Sequence, residues 1–154
     1  MDKRSSRHKK IIGDFGEHLV RYWLSKHGFE CASVDHTGID LIARNSKTKE
    51  LMGISVKSRS RKEGKEYEPV TVKNDNFKKA AVACDAFGCV PYMAIVVDAG
   101  EFIRAFIMPT ERFLKLSSRG KTINWKMTEA NVDKYYDDKT VKVFEMKTQT
   151  ISWW

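Results

Sequence analysis

Two apolar, β-branched runs separated by a short polar stretch constrain the fold of this chain more than any other feature. They span residues 38–43 and 51–57, and the stretch between them, Asn-Ser-Lys-Thr-Lys at 45–49, is rich in turn residues. Such a pattern predicts an antiparallel β-hairpin. If Asn45 pairs with Glu50 across a four-residue loop, Asp40 lies directly opposite Ser55.

Side-chain alternation extends this prediction to a polar cluster. Directly opposed residues point to the same face of a sheet, and Lys57 shares the face of Ser55 because side chains alternate with period two. We therefore expect Asp40, Ser55 and Lys57 to form one cluster on a half-buried sheet. A register shift of one residue would separate them.

The positive charge of the chain is concentrated in two segments. The formal net charge is +8, and residues 1–10 and 57–65 each hold five Lys or Arg against one acidic residue. Each segment thus carries +4, and the rest of the chain is balanced. Concentrated positive charge attracts polyanions, most commonly phosphate backbones. For the predicted basic tail at residues 1–12 alone, a solubilising role is favoured over a binding role.

The size and the cysteine content indicate one cytoplasmic domain. The chain has 154 residues, and we expect residues 13–154 to form a single domain after the tail. No secretory signal or membrane-spanning apolar run is found. The three cysteines are an odd number without the spacing of a zinc site, which favours reduced thiols. The four histidines are scattered and favour structural roles.

The first helix is predicted to begin at Gly13 or Asp14 and to run to about residue 27. Asp14 is an acceptable N-cap, and Glu17 completes the spacing of a capping box. Glu17 also lies at the edge of the apolar face, from which it can reach a cleft beside the core. The alternative is structural, because a first-turn glutamate favours the helix dipole and Arg21 is placed to pair with it.

The remaining elements follow from apolar periodicity and turn residues. The charged stretch 58–68 is predicted to be a loop, and residues 151–154 are unusually apolar for a chain end. We expect this end to pack on the body of the protein or on a second subunit of a homodimer. The further predictions are a helix at 77–86, strands at 90–97 and 101–108, a helix at 110–116, and a strand, helix and strand at 123–127, 129–136 and 141–146.

The predicted cluster has the parts needed to hydrolyse a phosphodiester. Divalent cations held by carboxylates neutralise the scissile phosphate and activate water, and a nearby lysine orients that water. Asp40 would be a metal ligand, Glu17 an auxiliary ligand and Lys57 the water-orienting cation. The basic residues that would line the path of a nucleic-acid backbone are Arg59, Arg61, Lys62 and Lys65.

The order of these elements resembles the PD-(D/E)XK nuclease superfamily. Residues 13–59, the helix at 74–87 and the strand at 91–97 are similar in layout to Holliday-junction resolvases and archaeal-type restriction endonucleases. The resemblance implies an α/β fold with a restriction-endonuclease-like αβββαβ core, in which helices flank a central mixed sheet. It also implies cleavage of DNA with Mg²⁺ (or Mn²⁺). Glu17 matches the first-helix glutamate, Asp40 the metal-binding aspartate and Lys57 the motif lysine.

The chain departs from this motif at Ser55, where the superfamily usually has an acidic residue two positions before the lysine. In a subset of similar restriction enzymes a serine stands there and the missing acid comes from further along the chain. Glu68 and Asp75 are the candidates here, and Glu68 is preferred as a metal ligand because Asp75 has a plausible N-cap role. The sequence thus predicts a metal-dependent DNA endonuclease. The alternative is a catalytically degenerate module that binds nucleic acid without cleaving it.

Overall fold

The protein is a mixed α/β structure of four helices and nine strands within the range that the computed structural model describes, residues 3–154. Met1 and Asp2 of the predicted tail lie outside that range. The elements are α1 His8–Lys26, β1 Glu30–Ser33, β2 Leu41–Arg44, β3 Leu51–Ser60, β4 Val70–Lys73, α2 Asp75–Phe87, β5 Val90–Asp98, β6 Phe102–Pro109, α3 Thr110–Leu116, β7 Ser118–Arg119, β8 Thr122–Trp125, α4 Glu129–Asp137 and β9 Lys142–Lys147.

A six-stranded mixed sheet forms the centre of the molecule. Its strand order is β1-β2-β3-β5-β6-β9, in which β3 and β5 run parallel and all other neighbours run antiparallel. The predicted central mixed sheet flanked by helices is therefore confirmed. A second sheet, β4-β8-β7, was not predicted. Its strands are short, and β4 is far from β7 and β8 in sequence, so their individual patterns carry little information on pairing.

The predicted hairpin register is confirmed. The backbone N–H of Asn45 donates to the carbonyl of Glu50 at 2.9 Å. Pairing continues from Arg44 with Leu51 to Leu41 with Ile54. The turn chemistry and the apolar alternation of the two runs thus agree on one register, as expected when one face of a strand is buried.

The two faces of the central sheet bury separate cores. On one face, α1 contributes Leu19, Val20, Trp23 and Leu24, which pack on side chains that include Ile54 and Val56 of β3. On the other face, the small sheet, α3 and α4 cover β5 and β6 around Phe106, Phe113 and Trp125. Burial on both faces explains why β5 is almost continuously apolar in sequence.

The predicted start of the first helix is wrong. Helix α1 begins at His8 rather than at Gly13 or Asp14, so the second part of the predicted tail is helical. The hydroxyl of Ser5 accepts the Arg7 N–H at 3.2 Å, which satisfies one of the free donors at the helix start. Asp14 pairs with Lys10 one turn earlier, at 2.9 Å, instead of capping.

Two further boundaries concern the predicted loop and the chain end. Strand β3 continues to Ser60, so the loop to β4 begins at Arg61 instead of residue 58. We call residues 61–69 the basic loop, after Arg61, Lys62 and Lys65, although three glutamates make this range neutral overall. At the C-terminus, Trp153 and Trp154 are exposed and contact each other edge to face. The two tryptophans therefore do not pack on the body of the protein, and the predicted contact with a second subunit remains a prediction.

No helix within residues 3–154 is long and apolar enough to cross a membrane.

Candidate active site at the end of the β2–β3 hairpin

Asp40 lies where β2 leaves its regular pairing with β3. Its N–H donates to the Ile54 carbonyl at 2.8 Å, although Leu41 is the residue paired with Ile54. Two residues thus oppose one, the pattern of a β-bulge, which re-aims side chains and is common beside active sites. One carboxylate oxygen of Asp40 accepts the Val56 N–H at 2.7 Å. The bulge therefore turns the carboxylate toward the β3 backbone.

The bulge corrects the prediction that Asp40 lies directly opposite Ser55 on a shared face. Ile39 packs against α2, whereas Leu41 belongs to the core under α1. Residues two apart share a face in a regular strand, so the alternation breaks at Asp40. Ser55 and Lys57 do follow it, since they pair with Met93 and Ile95 on the face opposite α1.

Ser55 is a buried structural contact in this arrangement. It is 4% exposed, and its hydroxyl donates to the Gly38 carbonyl at 2.7 Å. Gly38 in turn lies against α2, where an added Cβ would come within 2.1 Å of the Lys79 carbonyl oxygen. The hydroxyl therefore fixes the turn that leads to Asp40. Its position gives Ser55 no direct access to a substrate.

Glu17 of α1 lies beside Asp40, as the sequence predicted for a residue at the edge of the apolar face. The pKa of Glu17 is raised, first by burial and then by the negative charges of Asp40 and Asp14, and its carboxyl is close enough to Asp40 for a hydrogen bond. The helix is held close to β3 by Gly16, where an added Cβ would lie 1.7 Å from the Ser58 hydroxyl oxygen. Two carboxylates from different elements thus share one site.

Lys57 reaches the same site from β3. Its pKa is lowered chiefly by burial, and the negative charge of Asp40 opposes that shift. The ammonium donates to the side-chain oxygen of Asn76 at 2.8 Å. Sequence reasoning missed Asn76, which directly precedes the helix predicted at 77–86. A polar side chain in the first turn of a helix after the basic loop was the available signal.

The donor set suits a small divalent cation. Glu17 and Asp40 supply carboxylate oxygens, and their mutual repulsion, seen in the raised Glu17 pKa, would be relieved by a bound cation. Mg²⁺ commonly binds through one or two carboxylates and completes its octahedron with water and substrate phosphates. Within residues 3–154 no group of three or more His, Cys, Asp or Glu side chains is arranged to hold a metal ion. A bound cation would therefore be held by Glu17 and Asp40 alone among these side chains.

Neither candidate for the missing acid joins Asp40 in a three-residue cluster. Glu68 pairs with Lys65 at 3.1 Å and with Arg61 at 3.7 Å, within the basic loop. Asp75 forms a salt bridge with Lys79 at 3.2 Å. Its negative charge also acts on Lys57, where it opposes the lowering of the pKa by burial. The structure thus uses Glu68 to organise the loop, and Asp75 lies closer to the site than the residue preferred from sequence.

The four predicted nucleic-acid-binding residues separate into two pairs. Arg59 donates to the carbonyls of Ser58 and Thr71 at 2.8 and 3.2 Å. Arg61 donates to the carbonyls of Glu68 and Pro69 at 3.3 and 2.7 Å. Arg59 thus joins β3 to β4, and Arg61 holds the two ends of the basic loop together. Lys62 and Lys65 are exposed.

The two positively charged segments meet in space. The guanidinium of Arg4 donates to the Ser60 carbonyl at 2.8 Å, which joins the N-terminal segment to the end of β3. Ser60 follows Lys57 by three residues on the same strand. This contact brings the described part of the first segment, residues 3–10, next to the second segment, which contains Lys57. We call the basic side chains of these two segments the basic surface.

Comparison with known proteins identifies the fold. No family model matches the sequence, and no curated protein matches it. Among solved structures, the Holliday junction resolvase Hjc of Archaeoglobus fulgidus superposes with a TM-score of 0.52 at 20% identity, over 74% of this chain and 88% of that one. A bacterial homing endonuclease, I-Ssp6803I, superposes with a TM-score of 0.47 at 17% identity, over 78% and 79%.

The similarity to the resolvase defines the class of fold. The chain has a PD-(D/E)XK nuclease-like fold, as the sequence resemblance implied. At 20% identity the similarity shows the fold alone. Function must therefore be argued from the site.

Proposed function

We propose that this protein is a metal-dependent endonuclease that hydrolyses DNA phosphodiester bonds. The observation that carries the proposal is the position of Asp40, in the bulge before β2. It lies beside Glu17 of α1 and close enough to Lys57 of β3 for its negative charge to act on that lysine. Such a site combines carboxylates for a cation with a lysine partly shielded from water. A nuclease-like fold around it supports the same conclusion.

Glu17 and Asp40 would hold the cation, which supplies charge neutralisation at the scissile phosphate and activation of water when bound. Asp40 is fixed for this role by the hydrogen bond from Val56. Lys57 would orient the attacking water and stabilise the developing negative charge. Ser55 would act indirectly, by holding the turn that carries Asp40.

The test is cleavage of supercoiled plasmid and of a four-way DNA junction with Mg²⁺ or Mn²⁺. The junction is included because the structurally similar protein of Archaeoglobus fulgidus is a Holliday junction resolvase. Lys57→Ala is expected to slow cleavage by about 10²-fold or more, because it removes a group that acts in the transition state. The matched control is Lys47→Ala, an exposed lysine in the hairpin turn. Equal cleavage by the two variants would exclude this site.

DNA would be held by the basic surface, with Lys62 and Lys65 contacting phosphates, Arg61 shaping the loop and Arg59 joining β3 to β4 beneath it. Lys62→Glu/Lys65→Glu is expected to weaken duplex binding in EDTA and to reduce its salt dependence, because fewer counterions are released. The control is Lys26→Glu/Lys47→Glu, which makes the same charge change at the opposite end of α1 and in the hairpin turn. A similar loss of affinity in both double variants would show only a general charge effect.

A second candidate function is binding without cleavage. The burial of the Ser55 hydroxyl and the lack of a three-acid cluster within residues 3–154 favour it. It predicts salt-sensitive DNA binding that is unchanged by Lys57→Ala and no metal-dependent product. The plasmid assay and the binding assay together separate the two functions.

A further inference from the structure

We propose that Asn76 is a positioning residue that holds the Lys57 ammonium toward the scissile phosphate without neutralising its charge. The assignment rests on the nuclease function proposed above and deepens it. It concerns a residue outside the motif, in the first turn of α2.

The first step of the argument is the bond itself. The Lys57 ammonium donates to the Asn76 side-chain oxygen at 2.8 Å in a partly buried setting. An ammonium has three donors and no acceptor, and burying it without partners is unfavourable. Within residues 3–154, this is the hydrogen bond that the Lys57 side chain makes. Asn76 therefore fixes where the charge lies.

Asn76 is itself held in one orientation. Its side-chain NH₂ donates to the Lys73 carbonyl at 3.1 Å, at the end of β4. A flipped amide would place an acceptor against that carbonyl and a donor against the ammonium. The Lys57 ammonium and the Lys73 carbonyl thus both favour the same orientation of the amide. The neighbouring Asn74 donates to the carbonyls of Gly120 and Lys121, at 3.3 and 2.8 Å, and ties this helix start to the small sheet.

The chemistry of the amide is the second step. A neutral oxygen accepts a hydrogen bond from Lys57 and leaves the positive charge available to a phosphate. A carboxylate at 76 would instead form an ion pair with the lysine. The chain does carry a carboxylate one residue earlier, at Asp75, and pairs it with Lys79 at 3.2 Å. The charged groups that act on Lys57 are Asp40, Arg59, Asp75 and Lys79.

The experiment has one arm that needs no activity. Lysine side chains are labelled with ¹³C and ¹⁵N in the metal-free protein, Lys57 is assigned with Lys57→Arg, and its titration is followed by NMR. Asn76→Asp keeps the shape of the side chain and is expected to raise the titration midpoint, because the new anion favours the ammonium. Asn74→Asp adds the same charge in the same turn without contacting Lys57, so its effect is expected to be clearly smaller. Equal midpoints in the two variants would overturn the contact.

The second arm is catalytic. Asn76→Ala is expected to lower kcat for plasmid cleavage by about 10- to 100-fold, because a small misplacement of a catalytic group is enough for that loss, with DNA affinity unchanged. Asn74→Ala is the control for the helix start, and thermal unfolding is measured for every variant. A normal kcat in Asn76→Ala would overturn the positioning role even if the NMR shift is found. Absence of cleavage by the wild type would instead count against the nuclease proposal, and the NMR arm would still decide the contact.

Discussion

The two faces of β3 carry the same residue type in opposite roles. On the face toward α2, the hydroxyl of Ser55 donates to a backbone carbonyl in the turn before Asp40. On the face toward α1, the hydroxyl of Ser58 is buried against Gly16 and has no hydrogen-bond partner within the described part of the chain. Burial is similar, at 4% and 9% exposed. Of the two hydroxyls, only that of Ser55 makes a hydrogen bond within the described part of the chain.

This difference separates packing from chemistry on one strand. The α1 face needs small volume at Ser58, because helix and strand approach closely there. The α2 face needs a donor at Ser55, because the Gly38 carbonyl has to be held for the bulge to form. An acidic side chain at 55 would have to displace that carbonyl, so the serine at this position is part of the packing of the turn.

The largest expected effect comes from Gly38→Ala on the α2 face. Its Cβ would lie 2.1 Å from a backbone oxygen of α2, which cannot rotate away. We expect a loss of about 3 kcal/mol in the free energy of unfolding, because the helix must move off the sheet. Denaturant unfolding measures it. The control is Gly13→Ala, which meets nothing within 4 Å and is expected to be neutral or slightly stabilising; comparable losses in both would refute the close approach.

Gly16→Ala should disturb the packing of α1 on β3. The loss of stability should be smaller than for Gly38→Ala, because the atoms in the way belong to a side chain that can move. The new Cβ would lie 1.7 Å from the Ser58 oxygen and 2.9 Å from its Cβ. A loss of about 2 kcal/mol is expected from overpacking. Adding Ser58→Ala removes the worst clash, so the double variant should recover most of the stability in the same unfolding assay. Simple additivity of the two changes would contradict direct contact.

The two serines themselves provide the third test. Ser55→Ala leaves a buried carbonyl without its donor, which costs about 1 to 2 kcal/mol. Ser58→Ala removes a buried hydroxyl without a described partner and is expected to be neutral or stabilising. Chemical denaturation of both variants measures the difference. Equal losses of unfolding free energy would mean that the two hydroxyls contribute equally to stability, which would contradict the difference between the faces.

The smallest expected effect is that of Glu17→Gln, which removes one of two like charges. A carboxyl whose pKa is raised on folding contributes stability at low pH that is lost as pH rises through the raised pKa. Glu17→Gln should therefore stabilise the metal-free protein at pH 7, by less than about 1 kcal/mol because the group is partly screened by solvent. Well below the ordinary value of 4.5 the gain should vanish.

Adding Mg²⁺ makes this last test specific for a cation site. The wild type should gain more thermal stability from Mg²⁺ than the variant, because a ligand that binds only the folded state stabilises it by mass action. Melting curves of both proteins, with and without Mg²⁺ at two pH values, provide the eight measurements needed. An equal shift in both proteins would mean that Glu17 does not hold the ion.

The hairpin was predictable because its signals are local. Asn45 and Glu50 define the turn, and the alternation of the two runs repeats the same register. The bulge at Asp40 was not, since it depends on α2 lying against Gly38. The early start of α1 was missed for a related reason. Asp14 and Glu17 imitate a capping box, whereas the helix begins at His8 without a side-chain cap, and the Ser5 hydroxyl accepts only the N–H of Arg7.

The surroundings of Asp40 were predictable in part. Asp40 lies beside Glu17, and its charge acts on Lys57, because strand order and helix periodicity limit where such residues can lie. The roles of Arg59 and Arg61 were not readable from charge alone, since carbonyls of the basic loop and β4 engage them. Asn76 was missed because its partner is distant in sequence. Each of these contacts depends on the tertiary arrangement of loops against the sheet, which local sequence patterns do not determine.

The contact between Gly16 and Ser58 has an evolutionary consequence. A Cβ at position 16 has no room unless position 58 shrinks or the helix moves. Among descendants of this sequence the two positions should therefore change together, and lineages that enlarge one should show a compensating reduction at the other. Positions 13 and 120, where an added Cβ meets nothing within 4 Å, should drift without such a partner.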